Sequence, residues 1–540
     1  MLLKKILPLF LILNSNISLA QPELRFNPFD WVLYKHTGSI NSISFGDRYA
    51  FIGTQNGGVV RFNTRSQRFE EPITRSQGLK SDFVTAVHYA SSGILWVATI
   101  NALNYSFDAE GDWRSVSLES LGLSTRNPII RIGDDGKDIW VEASGQLMRI
   151  DGVTGIKLES MIRQNKKIFW SSGPNTFWQD PAEFLFKYTF LDGWMQNLNE
   201  MIDPNGQTIS ITTIAENNFG EIMIGCEDGS LFFGDRTMKL LSSFKFGINS
   251  LDVNTIAGNQ TFWIGGRNSP TNGGLTVLDI SRNIYDHYSF SNMINVDATP
   301  IFSSLKIKRD IFFGGENKFI HFNTKNSFWS EYYLPTAISN NIVIDIIEND
   351  QSLWLGTNNG LKIFDVTTNK FVENRITDHF KNYFIFDMLK SNKFIFIGTD
   401  VDLYIYDIKN ESLYEHDSFG YEDEEFQFSA FRTNFTAMTT YRNEIYFANR
   451  ESVIKLNISS RKWSKVFGSE VFSGDRINAM AADRRYLFMA TDNDLIQFDI
   501  KDKIIEVFNY KFLGNINTLK IDRTRLLIGT SEGIVSYSYK

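Results

Sequence analysis

Residues 353–365 read LWLGTNNGLKIFD, and eleven recognisable variants of this stretch are spaced along the rest of the chain. Leu353, Trp354 and Leu355 form a short apolar strand, Gly356 and Thr357 close it with small residues, and Asn358-Asn359-Gly360 supply the positive-φ positions of a tight turn. Leu361 to Phe364 return as a second strand before Asp365 opens the next turn. The unit is a β-hairpin, and its repetition decides the fold.

The Gly356 position recurs at Gly53, Ala98, Glu142, Asp180, Gly225, Gly265, Gly314, Gly398, Ala448, Ala490 and Gly529, at intervals of 38 to 50 residues. That spacing suits four-stranded propeller blades. Upstream of the hairpins lie alternating segments, as in 40–45 (INSISF), 84–89 (VTAVHY), 342–347 (IVIDII) and 516–521 (INTLKI). These are expected first strands. Downstream come aromatic-led segments, at Arg68-Phe69, Phe328-Trp329, Lys370-Phe371 and Lys462-Trp463, which are expected fourth strands. Four antiparallel strands per unit, without a useful run of helical periodicity, predict an all-β protein: a β-propeller fold of about twelve blades.

The two ends complement each other. Residues 31–35 (WVLYK) form a fourth strand with no unit of their own, and the last unit stops after its third strand at 533–539. Pairing them closes the terminal blade and hides an edge. Twelve blades exceed the usual four to eight per ring. Two propellers are therefore expected, at 21–292 and 293–540 with about six blades each, while seven plus five and a single twelve-blade ring remain open.

Composition sets further bounds. Aromatic residues make up 14% of the 540 residues and Pro is scarce, which suits many packed strands and argues against disorder. The formal charge is −8, so a nucleic-acid partner is not expected. Residues 1–20 have the layout of a secretory signal: Lys4-Lys5, the apolar run 6–13, and Ser18-Leu19-Ala20 before Gln21. The run is too short to span a membrane, no later window is long enough, and the cleavage point carries no Cys for a lipid anchor. A periplasmic or extracellular location is expected. Cys226, the single cysteine, has no partner for an intrachain disulfide.

The strings at 353–365, at 51–63 (FIGTQNGGVVRFN) and at 526–537 (LLIGTSEGIVSY) resemble the repeats of the two-component regulator propeller family. The resemblance covers residues 30–540. It implies the fold of periplasmic sensor regions of hybrid histidine kinases, commonly paired propellers that bind glycan fragments. No membrane span, kinase or DNA-binding region follows the repeats here, so a partner of a separate receptor is expected rather than a receptor. The segment 76–87 (SQGLKSDFVTAV) is also similar to the propeller part of an exported accessory component of the type IX secretion system. That likeness implies a role in secretion or surface assembly as the alternative.

No catalytic motif appears in convincing context, and the six histidines lie singly without metal-ligand spacing. The expectation is a non-catalytic binding or scaffold protein for a protein or glycan partner, without cofactor or metal; a propeller lyase or glycosidase is the enzymatic alternative. Two features single out candidate residues. Glu142 and Asp180 place carboxylates where ten other units have Gly or Ala, and such breaks of a local rule cluster at functional sites; strand drift or pairing to a nearby cation is the structural explanation. Two long insertions, 267–274 (RNSPTNGG) and 417–433 (DSFGYEDEEFQFSAFRT), emerge on one face of an antiparallel meander. They contribute Arg267, Tyr421, Glu422, Asp423, Glu424, Glu425, Phe426 and Phe428 as binding candidates, because exposed aromatics beside acids suit a protein or sugar contact; a solvated acidic run is the plain alternative.

Overall fold

The computed structural model describes residues 29–177, 180–269, 272–290, 293, 295–335, 339–423, 427 and 433–539. The hairpin that opens the analysis is formed by Ser352–Thr357 and Gly360–Asp365, with Gly356 opposite Leu361 and Thr357 opposite Gly360. Gly360 has φ 96°, as the turn requires. The Thr357 hydroxyl donates to the Gly360 carbonyl at 2.7 Å and accepts from the Asn359 N–H at 3.0 Å, satisfying turn groups that no strand would pair. Thr54, Thr99, Thr399 and Thr530 make the same hydroxyl-to-carbonyl bond in their own hairpins.

The repeated glycine has a steric cause. A Cβ on Gly356 would stand 2.8 Å from Ile385 Cγ2 in the next unit's first strand. Gly53 meets Val84 in this way, Gly225 meets Ile40, Gly265 meets Ile301, Gly314 meets Val343 and Gly529 meets Val253. The small residue is where one sheet lies down on the next. Two of these contacts run backward along the chain, Gly225 to Ile40 and Gly529 to Val253, and each closes a ring.

The described residues form eleven sheets, each with the meander order of a propeller blade at its heart. Seven of them, first strands Asp252–Asn259, Ser303–Ile307, Val343–Asn349, Ile385–Ser391, Ala437–Tyr441, Ala479–Ala482 and Ile516–Asp522, touch in succession and return to the start. A hydrogen bond crosses every one of these junctions. Asn254 donates to the Ile301 carbonyl, Ser303 to Val343, Thr436 to Ile477, Asn478 to Ile516 and Asn517 to Val253. At the two remaining junctions the Met388 and Met438 N–H groups donate to the carboxylates of Asp345 and Asp387. The expected boundary at 292/293 falls inside this run, since the sheet beginning at Asp252 packs on both its neighbours here.

Trp31–Tyr34 completes the seventh sheet, antiparallel to Gly533–Ser538, with Trp31 opposite Tyr537 and Tyr34 opposite Ile534. All four side chains are buried. The N-terminal strand thus supplies the outer strand that the C-terminal unit lacks.

The smaller ring is inserted between Tyr34 and Asp252. Its first strands are Ile40–Phe45, Val84–Tyr89, Arg131–Asp134 and Thr208–Glu216. Thr212 donates to the Ile40 carbonyl at 2.6 Å and Asn41 to Val84 at 2.8 Å. Between the third and fourth sheets the repeat count predicts a further hairpin, and the structure differs there. Phe169–Trp170 pairs with Gly133 and Asp134, Asn175 N–H reaches the Thr212 carbonyl, and the chain then enters the helix Pro181–Leu185. Only the inner strand of that unit is kept. The rings share a hydrophobic cluster that includes Tyr34, Phe62, Phe246, Val253, Tyr285 and Leu527, and Lys35 bridges Asp82 of the smaller ring to Glu532 of the larger.

Candidate functional site

The structure separates the two carboxylates singled out by the repeat. Glu142 lies on Ile139–Ala143 directly opposite Arg131 and forms an ion pair with it, while the Arg131 guanidinium sits 4.4 Å over the Trp170 ring. The charge that broke the small-residue rule therefore has its partner across the strand. Asp180 is not on a strand. Its carboxylate accepts from the Ala182 N–H at 3.0 Å and caps the helix, with Pro181 at the first helical position. No hydrogen bond or ion pair among the described residues joins Glu142 to Asp180.

The two insertions have different supports. Arg267, half exposed, pairs with Asp252 at 2.9 Å, and Asn268 accepts from the Leu251 N–H. Tyr421–Glu422 forms a short strand parallel to the outer strand Lys462–Gly468, so the insertion is fixed as a fifth strand on the edge of that sheet. Trp463 Nε1 donates to the Phe419 carbonyl at 2.6 Å, and Asp423 pairs with Lys462 at 3.0 Å. Tyr421 remains 54% exposed on this anchored edge. Glu424, Glu425, Phe426 and Phe428 lie outside the described residues. Close to the insertion, Phe386, Asn434, Arg450 and Arg476 border a hollow of about 230 Å³ between three successive first strands. The Arg476 guanidinium lies 4.9 Å over Phe386.

A polar network in the smaller ring escaped the sequence reading. His88 Nδ1 is 2.7 Å from Ser171 Oγ, and its Nε2 is 2.8 Å from Asp134 Oδ2. Ser44 and Ser91 extend the chain at either end. Burial alone would raise the Asp134 carboxyl, but hydrogen bonds from His88, Ser91 and the Gly136 N–H outweigh it and hold the group well below the ordinary range. The connectivity is that of a Ser-His-Asp triad, and acyl transfer also needs free N–H donors and an approach for the carbonyl. Among the described residues neither is found beside Ser171. The Ser171 N–H is spent on Ile132 and the Ser172 N–H on Ile43, while His88 is 5% exposed. The network fastens three first strands to the segment that crosses inside them. No sequence spacing would have found it, because His88, Asp134 and Ser171 meet only once the ring closes.

A second pair lies in the larger ring. Asp345 and Asp387 occupy equivalent positions on adjacent first strands, opposite Gly356 and Gly398, and are hydrogen-bonded to each other. Burial pushes both carboxyls up, and the charge of Asp345 adds to the effect on Asp387. They share a proton between sheets. Cys226, buried in the position that other units give to Thr, has its thiol pushed up by burial and is no nucleophile.

A third feature is aromatic. Tyr288, Phe328 and Trp329, on the outer strands of two neighbouring sheets, meet Asn205 of the smaller ring and Asn295 around a hollow of about 480 Å³. Phe328 is 54% exposed. Among the described residues no group of three or more His, Cys, Asp or Glu is placed to hold a metal ion, and no helix is long and apolar enough to cross a membrane.

Sheet order and ring contacts define the class: a β-propeller protein in which a closed seven-sheet ring carries a smaller inserted ring. No known family profile matches the chain, and no curated protein does. Among solved structures it is similar to the extracellular domain of a putative hybrid two-component system of B. thetaiotaomicron, at 15% identity and TM-score 0.43, covering 92% of this chain and 75% of that one. It is similar to the extracellular domain of a putative one-component system of the same organism, at 13% identity and TM-score 0.41, covering 96% and 71%. PorZ, a surface component of the type IX secretion system of Porphyromonas gingivalis, matches at 13% identity and TM-score 0.43, covering 93% and 74%. Both kinds of protein that the repeats resemble are thus among the structural neighbours.

Proposed function

We propose that this chain is an exported, non-catalytic β-propeller protein that binds a glycan or an envelope protein, on behalf of a separate sensor, through the edge of its larger ring where the 417–423 segment docks. The 267–274 loop stands on the face where first strands begin, and Tyr421, beside Lys462, lies on the outer edge toward the face where they end. The carrying observation is the docking of Tyr421–Glu422 as an extra edge strand. An insertion held in register presents Tyr421 at little further entropy cost on binding, as a contact anchor requires. The hollow of Phe386, Arg450 and Arg476 offers donors and an aromatic wall on the face where first strands begin. Export rests on Lys4-Lys5, the apolar run and Ala20-Gln21.

The aromatic hollow of Tyr288, Phe328 and Trp329 supports a second site for the same ligand class, since sugar C–H faces stack on such rings while Asn205 and Asn295 offer amides. A glycan array with the mature protein tests both readings. Of the single changes, Tyr421→Ala should weaken glycan binding by about 2 kcal/mol, and Arg450→Ala and Phe328→Ala should leave it intact. Loss on Phe328→Ala alone moves the sugar to the outer hollow, and binding that survives all three changes refutes both placements.

A further inference from the structure

On the face where first strands end, the larger ring gathers three lysines that form no ion pair among the described residues. Lys306 and Lys520 are half-buried on the first strands on either side of Asp252–Asn259, and Lys308 stands in the turn after Ser303–Ile307. With Gly258, Asn259 and Ser304 they border a hollow of about 350 Å³ that no carboxylate lines. Gly258 is required by its own turn, at φ 97°, where a Cβ would meet the Thr261 carbonyl oxygen at 2.5 Å. Other shielded lysines have partners: Lys318 pairs with Glu331 at 2.7 Å, Lys35 with Asp82 and Glu532, and Lys157 donates to the Leu121 carbonyl. None of Lys306, Lys308 and Lys520 makes an ion pair or donates a side-chain hydrogen bond within the described residues. Asp522 acts on Lys520 from beyond ion-pair distance, and burial pushes the Lys520 ammonium down in spite of it.

Unpaired, part-buried ammonium groups are costly, and a bound anion removes that cost. Lysines are point charges on flexible stems and lack the planar fork that matches a carboxylate, so three of them around one hollow suit a tetrahedral oxyanion. We infer that the hollow of Lys306, Lys308 and Lys520 binds a phosphate or sulfate group, free or as the ester of a sugar. The site spans the seam where the last sheet meets the first. It lies in other sheets than the Tyr421 edge and does not depend on it.

Calorimetric titration of the mature full-length protein at low ionic strength tests this with four probes: inorganic phosphate, glucose 6-phosphate, glucosamine 6-sulfate and glucuronate. At least one tetrahedral probe should bind saturably at one per chain, and glucuronate should bind more weakly. Tighter binding of an ester than of free phosphate assigns the ligand to a sugar, and equal binding assigns it to the free anion. Lys306→Gln with Lys520→Met should weaken binding about tenfold or more, the loss of roughly 1.4 kcal/mol, while Lys409→Gln, in a turn of a sheet that does not border the hollow, leaves it unchanged. Lys308→Gly, at an exposed turn position with φ 53°, preserves the fold and should by itself weaken binding about threefold. Absence of saturable binding, preference for glucuronate, or affinity unchanged in the Lys308→Gly protein overturns the inference.

Discussion

Replacing Trp31 by Ala should destabilise the larger ring as severely as a core deletion, although Trp31 lies near the start of the chain and its sheet neighbours lie at the end. The indole is 2% exposed, stacks on Tyr537 with centroids 3.9 Å apart, and takes edges from Phe508 and Tyr510 at 5.3 Å. Truncating a buried Trp costs about 3–5 kcal/mol, a large part of the 5–15 kcal/mol typical of a folded domain. With a urea m-value of about 2–3 kcal/mol/M, the midpoint should fall by about 1–2 M in far-UV circular dichroism. Phe328→Ala, at an exposed aromatic, should move it by no more than about 0.3 M. Combining Trp31→Ala with Tyr537→Ala should cost less than the sum, because both remove one stack. A Trp31→Ala midpoint that matches the Phe328→Ala control would refute the burial of the N-terminal strand in the last sheet.

Asp387→Asn should stabilise the protein at pH 7.5 by roughly 1 kcal/mol, or about 2–4 °C in Tm. The raised carboxyl is protonated in the folded state where the unfolded chain has lost its proton, so stability falls as pH rises from the ordinary aspartate value toward neutrality. The gain should therefore shrink as the assay approaches pH 4, and a gain independent of pH contradicts the shared proton. Glu142→Ala should cost about 1 kcal/mol or less and leave ligand binding unchanged; a loss of binding would show that the Arg131 pair is part of a site. Mass spectrometry of the mature protein should place the N-terminus at Gln21, and an intact Met1 would remove the export assignment.

Much of the architecture is legible because one steric requirement recurs. The small residue at Gly53, Gly225, Gly265, Gly314, Gly356 and Gly529 is fixed by the sheet that lies on it, so the spacing of blades can be read in one dimension. Ring membership cannot, because the contacts that close the rings, Gly225 on Ile40 and Gly529 on Val253, join residues far apart in sequence. Asp180 shows the other limit. Asp-Pro before a short apolar run is a helix start, and regular spacing hid that local signal under the repeat. The site residues were legible only as exceptions to the pattern. Glu142 was such an exception, and its explanation lay in Arg131 on the neighbouring strand. Lys306 and Lys520 broke no rule on their own strands, and their lack of partners becomes visible only when the last sheet meets the first.

The closure of the larger ring by the chain's own N-terminus can be measured with one pair of cysteines. Val32 lies opposite Ser536, and paired antiparallel residues stand about 4.5–5.5 Å apart at Cα, within disulfide reach. The native Cys226 is buried and does not compete. The Val32→Cys, Ser536→Cys protein, oxidised mildly and digested without reductant, should yield a peptide pair linking the two ends of the chain; recovery of both thiols free from folded, monomeric protein would contradict the closed ring.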